Sequence, residues 1–291
     1  GTPNGQEILV VNPVDNTSIY DSYGNPASNS QKNNSINLTE KIAPFITATV
    51  LQYDNTSIDV TFSEVVYDTN SGSGILEVSD LSLNITGGAV SLTSTTPTGI
   101  STSDNITFTL NLGITGTSDG SEILTVVPIV DSIYDQSGNV CSITQSNNSV
   151  TLNEKIVPTI TNISINNDNS IITVTFNENV FNSSSGIGNL EISDFAFSCS
   201  VAGVLASTTP TSISYSGNVY SLGLSLLTLN PSGQEVITVL PYSSTSIYDS
   251  AGNAASTTQS NNTVSLREQS APVITGVSIT SDNSLLTVTF D

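Results

Sequence analysis

The sequence predicts an all-β protein made of tandem β-sandwiches, and three observations carry that reading. The first is a long internal repeat. Ser18-Ile19-Tyr20-Asp21 recurs as Ser132-Ile133-Tyr134-Asp135 and as Ser246-Ile247-Tyr248-Asp249, each time 114 residues on. Glu40, Glu154 and Glu268 keep the same spacing, as do Pro44, Pro158 and Pro272, and Phe62, Phe176 and Phe290. The second is strict alternation of apolar and polar residues within each copy, the period of a half-buried strand. The third is the punctuation between these runs: clusters of Gly, Asn, Asp, Ser and Pro supply turns, and no segment shows the 3.6-residue period of an amphipathic helix.

Taken in order, residues 1–43 hold the tail of one repeat. The Asp21-x-x-Gly24-Asn25 turn is followed by a short strand at Ile36-Leu38. Pro44 follows the linker Leu38-Thr39-Glu40-Lys41-Ile42-Ala43, and proline suits the edge of a first strand because it has no N–H to donate. Ile58, Val60 and Phe62 then face one way, with Asp59 and Thr61 facing the other. Ile106-Phe108-Leu110-Leu112 repeats the alternation, as does Tyr220-Leu222-Leu224-Leu226 in the next copy. Val150-Leu152 and Val264-Leu266 close their copies as Ile36-Leu38 does. About seven short strands in roughly 110 residues is the pattern of an immunoglobulin-like sandwich. Complete domains are therefore expected at 44–157 and 158–271. The last strands of a preceding repeat would occupy 1–43 and the first strands of a following one 272–291, so the chain is expected to be a window on a longer array.

Composition narrows the function. Twenty-five acidic residues face four cationic ones, giving a net charge of −21, with no His, Met or Trp and two Cys. His-based triads, zinc sites and Cys-His nucleophiles cannot be assembled from this set. Four cations cannot track a nucleic-acid backbone or dock on anionic lipid. No apolar run approaches the ~18 residues of a membrane helix. Ser, Thr and Asn make up about 40% of the chain, and with scarce Lys and Cys this suits an extracellular or cell-surface setting. Carboxylates are the reactive side chains in supply. They recur with the scaffold, whereas a catalytic pair would break the repeat, so no enzymatic activity is expected.

The segments Val60 to Glu64, Leu76 to Asp80, Ser94 to Pro97, Gly120 to Pro128, Ser132 to Asn139 and Glu154 to Pro158 together resemble the bacterial immunoglobulin-like repeats of surface-layer proteins and large adhesins. The likeness covers essentially the whole chain. It implies a sandwich of cadherin-like architecture, a cell-surface location and, in many such modules, calcium at the junctions between domains. The linker acid of such repeats is commonly Asp before Lys-Thr-Ala-Pro, whereas this chain carries Glu40, Glu154 and Glu268.

Calcium takes six to eight oxygens, and no EF-hand-like run exists, so ligands would have to gather from separate loops. The candidates are the turn acids Asp21, Asp135 and Asp249, the linker acids Glu40, Glu154 and Glu268, the hairpin acids Asp54, Asp168 and Asp282, and the strand-end acids Glu64 and Glu178. Against this stands a plainer reading. Asp-x-x-Gly-Asn and Asp-Asn are turn sequences in their own right, with Asp capping amides and Gly or Asn taking positive φ.

Asn-x-Ser/Thr sequons occur about as often as composition dictates, and Asn33, Asn147 and Asn261 are repeated positions open to glycans. Cys199 continues the core alternation of Phe195 and Phe197. Cys141 replaces Ala27 and Ala255 in the loop before the last strand, and a link between chains through it stands as the alternative to a plain free thiol. The sequence thus leads to an extracellular structural segment of a filament or surface appendage whose partners are adjacent repeats or copies of itself. The alternative is the stalk of an adhesin that presents a distal binding domain.

Overall fold

A computed structural model describes residues 1–227 and 230–291. The chain divides into two compact units, Gly1–Lys155 and Ile156–Asp291. Both are all-β and antiparallel; the only helical pieces among the described residues are 3₁₀ turns at Val78–Asp80 and Ile192–Asp194. None is long and apolar enough to cross a membrane.

The first unit opens with a pair, β1 (Ile8–Val10) and β2 (Ser35–Asn37). There follow β3 (Ile46–Leu51), β4 (Ser57–Phe62), β5 (Leu81–Thr86), β6 (Ser91–Leu92), β7 (Gly99–Thr102), β8 (Thr107–Asn111), β9 (Ile114–Thr115), β10 (Ile123–Pro128) and β11 (Ser149–Thr151). One sheet has the order β3-β4-β8-β7 and another β11-β10-β5, while β6 and β9 form a separate short pair. The second unit has β12 (Ile160–Ile165), β13 (Ile171–Phe176), β14 (Phe195–Cys199), β15 (Ile213–Ser216), β16 (Val219–Gly223), β17 (Val236–Pro241), β18 (Thr263–Ser265), β19 (Ile274–Ile279) and β20 (Leu286–Phe290). Its sheets run β12-β13-β16-β15, β14-β17-β18 and β19-β20.

The alternation decides which side chains meet. On β4, Ile58, Val60 and Phe62 are buried while Asp59 and Thr61 are half-buried on the other face. Successive strand side chains point to opposite faces, so one register buries the whole apolar set. These residues join Phe108 and Leu110 of β8, Leu81 and Leu83 of β5, and Leu124 and Val126 of β10 in one core. The Phe62 and Phe108 rings meet edge to face at 5.9 Å, a geometry that adds to their area burial. In the second unit Phe176 and Tyr220 take the same arrangement at 5.9 Å, and the buried Tyr220 hydroxyl donates to the Val180 carbonyl at 3.2 Å.

β3 and β12 each carry a register shift near their start. There the Thr47 hydroxyl donates to the Thr61 carbonyl at 3.0 Å and that of Thr161 to the Thr175 carbonyl at 3.1 Å. In β1–β2 and β19–β20 the apolar side chains are exposed, Ile36 at 66% and Val277 at 63%.

Candidate functional site: acidic turns, linker and strand ends

The Asp-x-x-Gly-Asn turn is organised around its aspartate. In the first unit Asp135 Oδ1 accepts the N–H groups of Ser137 and Asn139, each at 2.8 Å, and Oδ2 accepts the Asn139 side-chain amide at 2.7 Å. The preceding Tyr134 exchanges both backbone bonds with Tyr67 at 2.8 Å, which carries the carboxylate inward until Asp135 is 1% exposed. Gly138 takes φ +81, and a Cβ there would stand 2.7 Å from the Asn70 carbonyl oxygen. Only glycine satisfies both the left-handed backbone and the close approach. Asp249 repeats the device: it is fully buried and accepts the Asn253 N–H and side-chain amide at 2.8 Å each. Asp21 makes the equivalent bonds to Asn25 and Tyr23 at 2.9 Å but is exposed. The Asn25 side chain, then the Asn25 and Tyr23 amides, hold its carboxyl below the usual range.

Three of the expected acids come together. The Asn139 side-chain amide donates to Glu40 Oε2 as well as to Asp135. Burial, followed by the charges of Asp135 and Glu40, pushes the Glu64 carboxyl up. The Glu64-type residue of the second unit behaves alike: burial and then Asp249 raise Glu178. Glu154 is half-buried, and the exposed Glu268 accepts the Ser270 N–H.

The hairpin acids stand elsewhere. Asp54, in the β3–β4 turn, accepts the hydroxyl of Thr56 at 2.7 Å and its N–H at 3.1 Å. Asp168 accepts the Ser170 hydroxyl at 2.8 Å, and Asp282 accepts the hydroxyls of Thr280 and Ser284 at 2.6 and 2.7 Å. These bonds hold all three carboxyls low, Asp282 at about 2. Asp54 and Glu64 flank opposite ends of β4, and six strand residues at ~3.3 Å each put about 20 Å between them. The candidate set therefore falls into two groups. Nor do the three gathered acids fit a cation as they stand, because the Asn139 amide, a donor, sits between Asp135 and Glu40. Among the described residues no group of three or more Asp, Glu, Cys or His is disposed to hold a metal ion.

Several residues acquire roles that the sequence did not assign. Glu122 is fully buried and accepts the Ser118 hydroxyl at 2.6 Å and the Ala89 N–H at 3.2 Å. Glu235 accepts the N–H groups of Ser232 and Gly233, each at 3.0 Å. Their recurrence reflects loop closure. Asn55 and Asn169, read from sequence as plain turn residues, are buried and bond chain segments 98 residues away. The one available signal was that Asn recurs at 55, 169 and 283 with positive φ chemistry at a hairpin tip.

Cys141 lies in the core, 3% exposed, where burial pushes its thiol up to about 12, an environment that suits the plain free thiol over a link between chains. Its counterpart Ala255 is buried too. Cys199 is half-buried against the second core, and both thiols are free.

Asn33, Asn147 and Asn261 are exposed. Their neighbours Asn148 and Asn262 are buried, donating to the carbonyls of Val126 at 2.7 Å and Val239 at 2.8 Å. Compared with known proteins, the chain matches no family model, no curated protein and no solved structure.

Proposed function

We propose that this chain is a stretch of an extracellular, non-enzymatic structural protein, built of tandem immunoglobulin-like sandwiches on a 114-residue period. It resembles the repeat regions of bacterial surface-layer proteins and adhesins. The observation that carries the reading is how the recurring polar residues are spent. Asp135 and Asp249, Glu122 and Glu235, Asn55 and Asn169, and Asn148 and Asn262 each hold a turn or close a loop in one unit and again in the other. Side chains that serve the scaffold in each copy leave little for a unique active site, and repetition suits a polymer or a long appendage.

Its mechanism is geometric. Each repeat supplies length, the short Pro-bearing linkers limit bending, and a surface of hydroxyls and amides at −21 net charge resists nonspecific association. The partners are further repeats and copies of the chain. Glycans at Asn33, Asn147 and Asn261 are compatible with their exposure. Calcium is retained as a proposal at one place, around Glu40, Glu64 and Asp135, where three negative charges crowd together and where the Asn139 carboxamide would have to turn its oxygen toward the ion.

Electron micrographs of the native material test the main reading. Filaments whose lateral or end contacts bury on the order of 1,000 Å² or more are expected. Isolated strings of domains without such contacts would replace the filament by the stalk of an adhesin. For calcium, the test is the melting temperature with and without chelator; an unmoved value removes the ion from the account.

A further inference from the structure

Two edge strands of the first unit lie side by side without pairing. β3 is hydrogen-bonded only to β4, and β11 only to β10, yet β3 and β11 are neighbours. They run in the same direction. Gln145, before β11, accepts the N–H of Ile46 at the start of β3, at 2.8 Å. Asn153, just past β11, meets Asn55, just past β3. The flank where the two sheets meet is thus fastened at both ends by carboxamides.

The clasp at the far end is the more elaborate. Asn55 Nδ2 donates to the Asn153 carbonyl at 2.8 Å while the Asn153 N–H donates to Asn55 Oδ1 at 2.9 Å. The side-chain amide thereby pairs with the main chain as a strand residue would. Asn153 Nδ2 reaches the Gln52 carbonyl at 3.0 Å, and the Lys155 ammonium lies 3.2 Å from the centre of the Tyr53 ring. The second unit repeats the arrangement with other side chains. Gln259 accepts the Ile160 N–H at 2.9 Å, and Asn169 exchanges two 2.8 Å bonds with the main chain of Arg267. Where the first unit has lysine over tyrosine, the second has Gln269 Nε2 donating to the Asn167 carbonyl at 2.8 Å.

A hairpin tip alone does not ask for this. The tip needs a residue at φ +61 in the first unit and +56 in the second, which glycine would also supply. A carboxamide that is 6% exposed at Asn55 and 3% at Asn169, with donor and acceptor both committed to the outgoing segment, does more than turn the chain.

The direction of loading follows from the same geometry. The chain arrives at the Ile46 end of the flank and leaves at the Asn153 end. Tension between these points slides β3 against β11 along their length, so the bonds across the flank are strained together rather than one after another. We propose that Asn55 and Asn169, with Gln145 and Gln259, form side-chain shear clamps that make each unit resist tension along the chain. This deepens the array reading, resting on it for the source of the tension, while the resistance itself is a property of each unit.

The test is single-molecule force spectroscopy on the full chain held by its two ends. Asn55→Gly and Asn169→Gly keep the left-handed backbone and delete the amide; Asn55→Asp keeps the turn and the acceptor but loses the donor. Val60→Ala serves as a core variant that lowers stability away from the clamp. Removing two net hydrogen bonds raises the unfolding rate at a given force about ten- to thirty-fold. Asn55→Gly is expected to do this to one of two unfolding events and Asn169→Gly to the other, with Asn55→Asp intermediate. Equal loss of resistance in Asn55→Gly and Val60→Ala at matched chemical stability would overturn the clamp, as would unchanged events in both glycine variants. Should the micrographs show no polymer, the array reading falls while the force result stands.

Discussion

Asp135 holds two opposing effects, and replacing it by asparagine shows which is larger. The carboxylate sits beside Glu64 and Glu40, so neutralising it relieves repulsion among three acids. With water-like screening that relief is about 1 kcal/mol for each of the two neighbours, and it grows as screening weakens. Against it stand three hydrogen bonds. Asn at 135 can still accept the Ser137 and Asn139 N–H groups at Oδ1, but loses the charge that strengthens them, about 1 kcal/mol each. At Oδ2 the exchange is worse. The new amide would face the Asn139 amide, now 2.7 Å from an acceptor, and a lost bond with opposed donors costs about 1–3 kcal/mol. At that screening losses exceed relief by about 1–3 kcal/mol, so Asp135→Asn should destabilise the first unit at pH 7 in chelator. The assay is urea unfolding followed by tyrosine fluorescence, with hydrogen exchange at Ser137 and Asn139 reporting on the turn. A variant as stable as the parent, with unchanged exchange at those amides, would refute the argument, because repulsion would then outweigh the turn bonds.

Other outcomes follow from the same structure. Burial and neighbouring acids raise Glu64 and Glu178, and burial raises Asp80 and Asp194. Groups raised on folding contribute stability below their unfolded values and lose it as pH climbs through the folded ones. Depressed groups such as Asp54, Asp168 and Asp282 do the reverse, losing theirs as pH falls. Thermal stability should therefore rise as pH falls from 7 toward the ordinary carboxylate range and decline again once pH drops below the unfolded aspartate value of 3.8; a monotonic fall from pH 7 would count against the crowded acids. Cys141 should resist thiol reagents in the folded chain and react on unfolding, with Cys199 modified first, as mass spectrometry would show. Phe108→Ala empties an edge-to-face pair in a sealed core and should cost about 3–5 kcal/mol, read as a large drop in the urea midpoint of the first unit.

Much of the architecture was legible because its signals are local. Ile58, Val60 and Phe62 are two apart, and a period of two admits one buried face, so burial on β4 follows from the sequence without its neighbours. The turn at Asp135 was equally readable, since Asp, Gly138 and Asn139 fall within five residues and act on one another. Asn55 was not. Its amide pairs with a residue 98 positions on, and at its own place it has the same appearance as any hairpin asparagine. Glu40 and Glu64 belong with Asp135 while Asp54 does not, although all four recur alike.

The sequence by itself determined an all-β chain, its strand faces, its turn chemistry and its lopsided charge, because hydrophobic period and backbone preference act over a few residues. Only the tertiary structure decided which acids share a site, that Cys141 is sealed in the core, and that Asn55 and Asn169 fasten the first strand of each flank to the last. Those outcomes depend on which distant strands lie side by side. That is set by the packing of the two sheets around one core, which no local window of sequence contains.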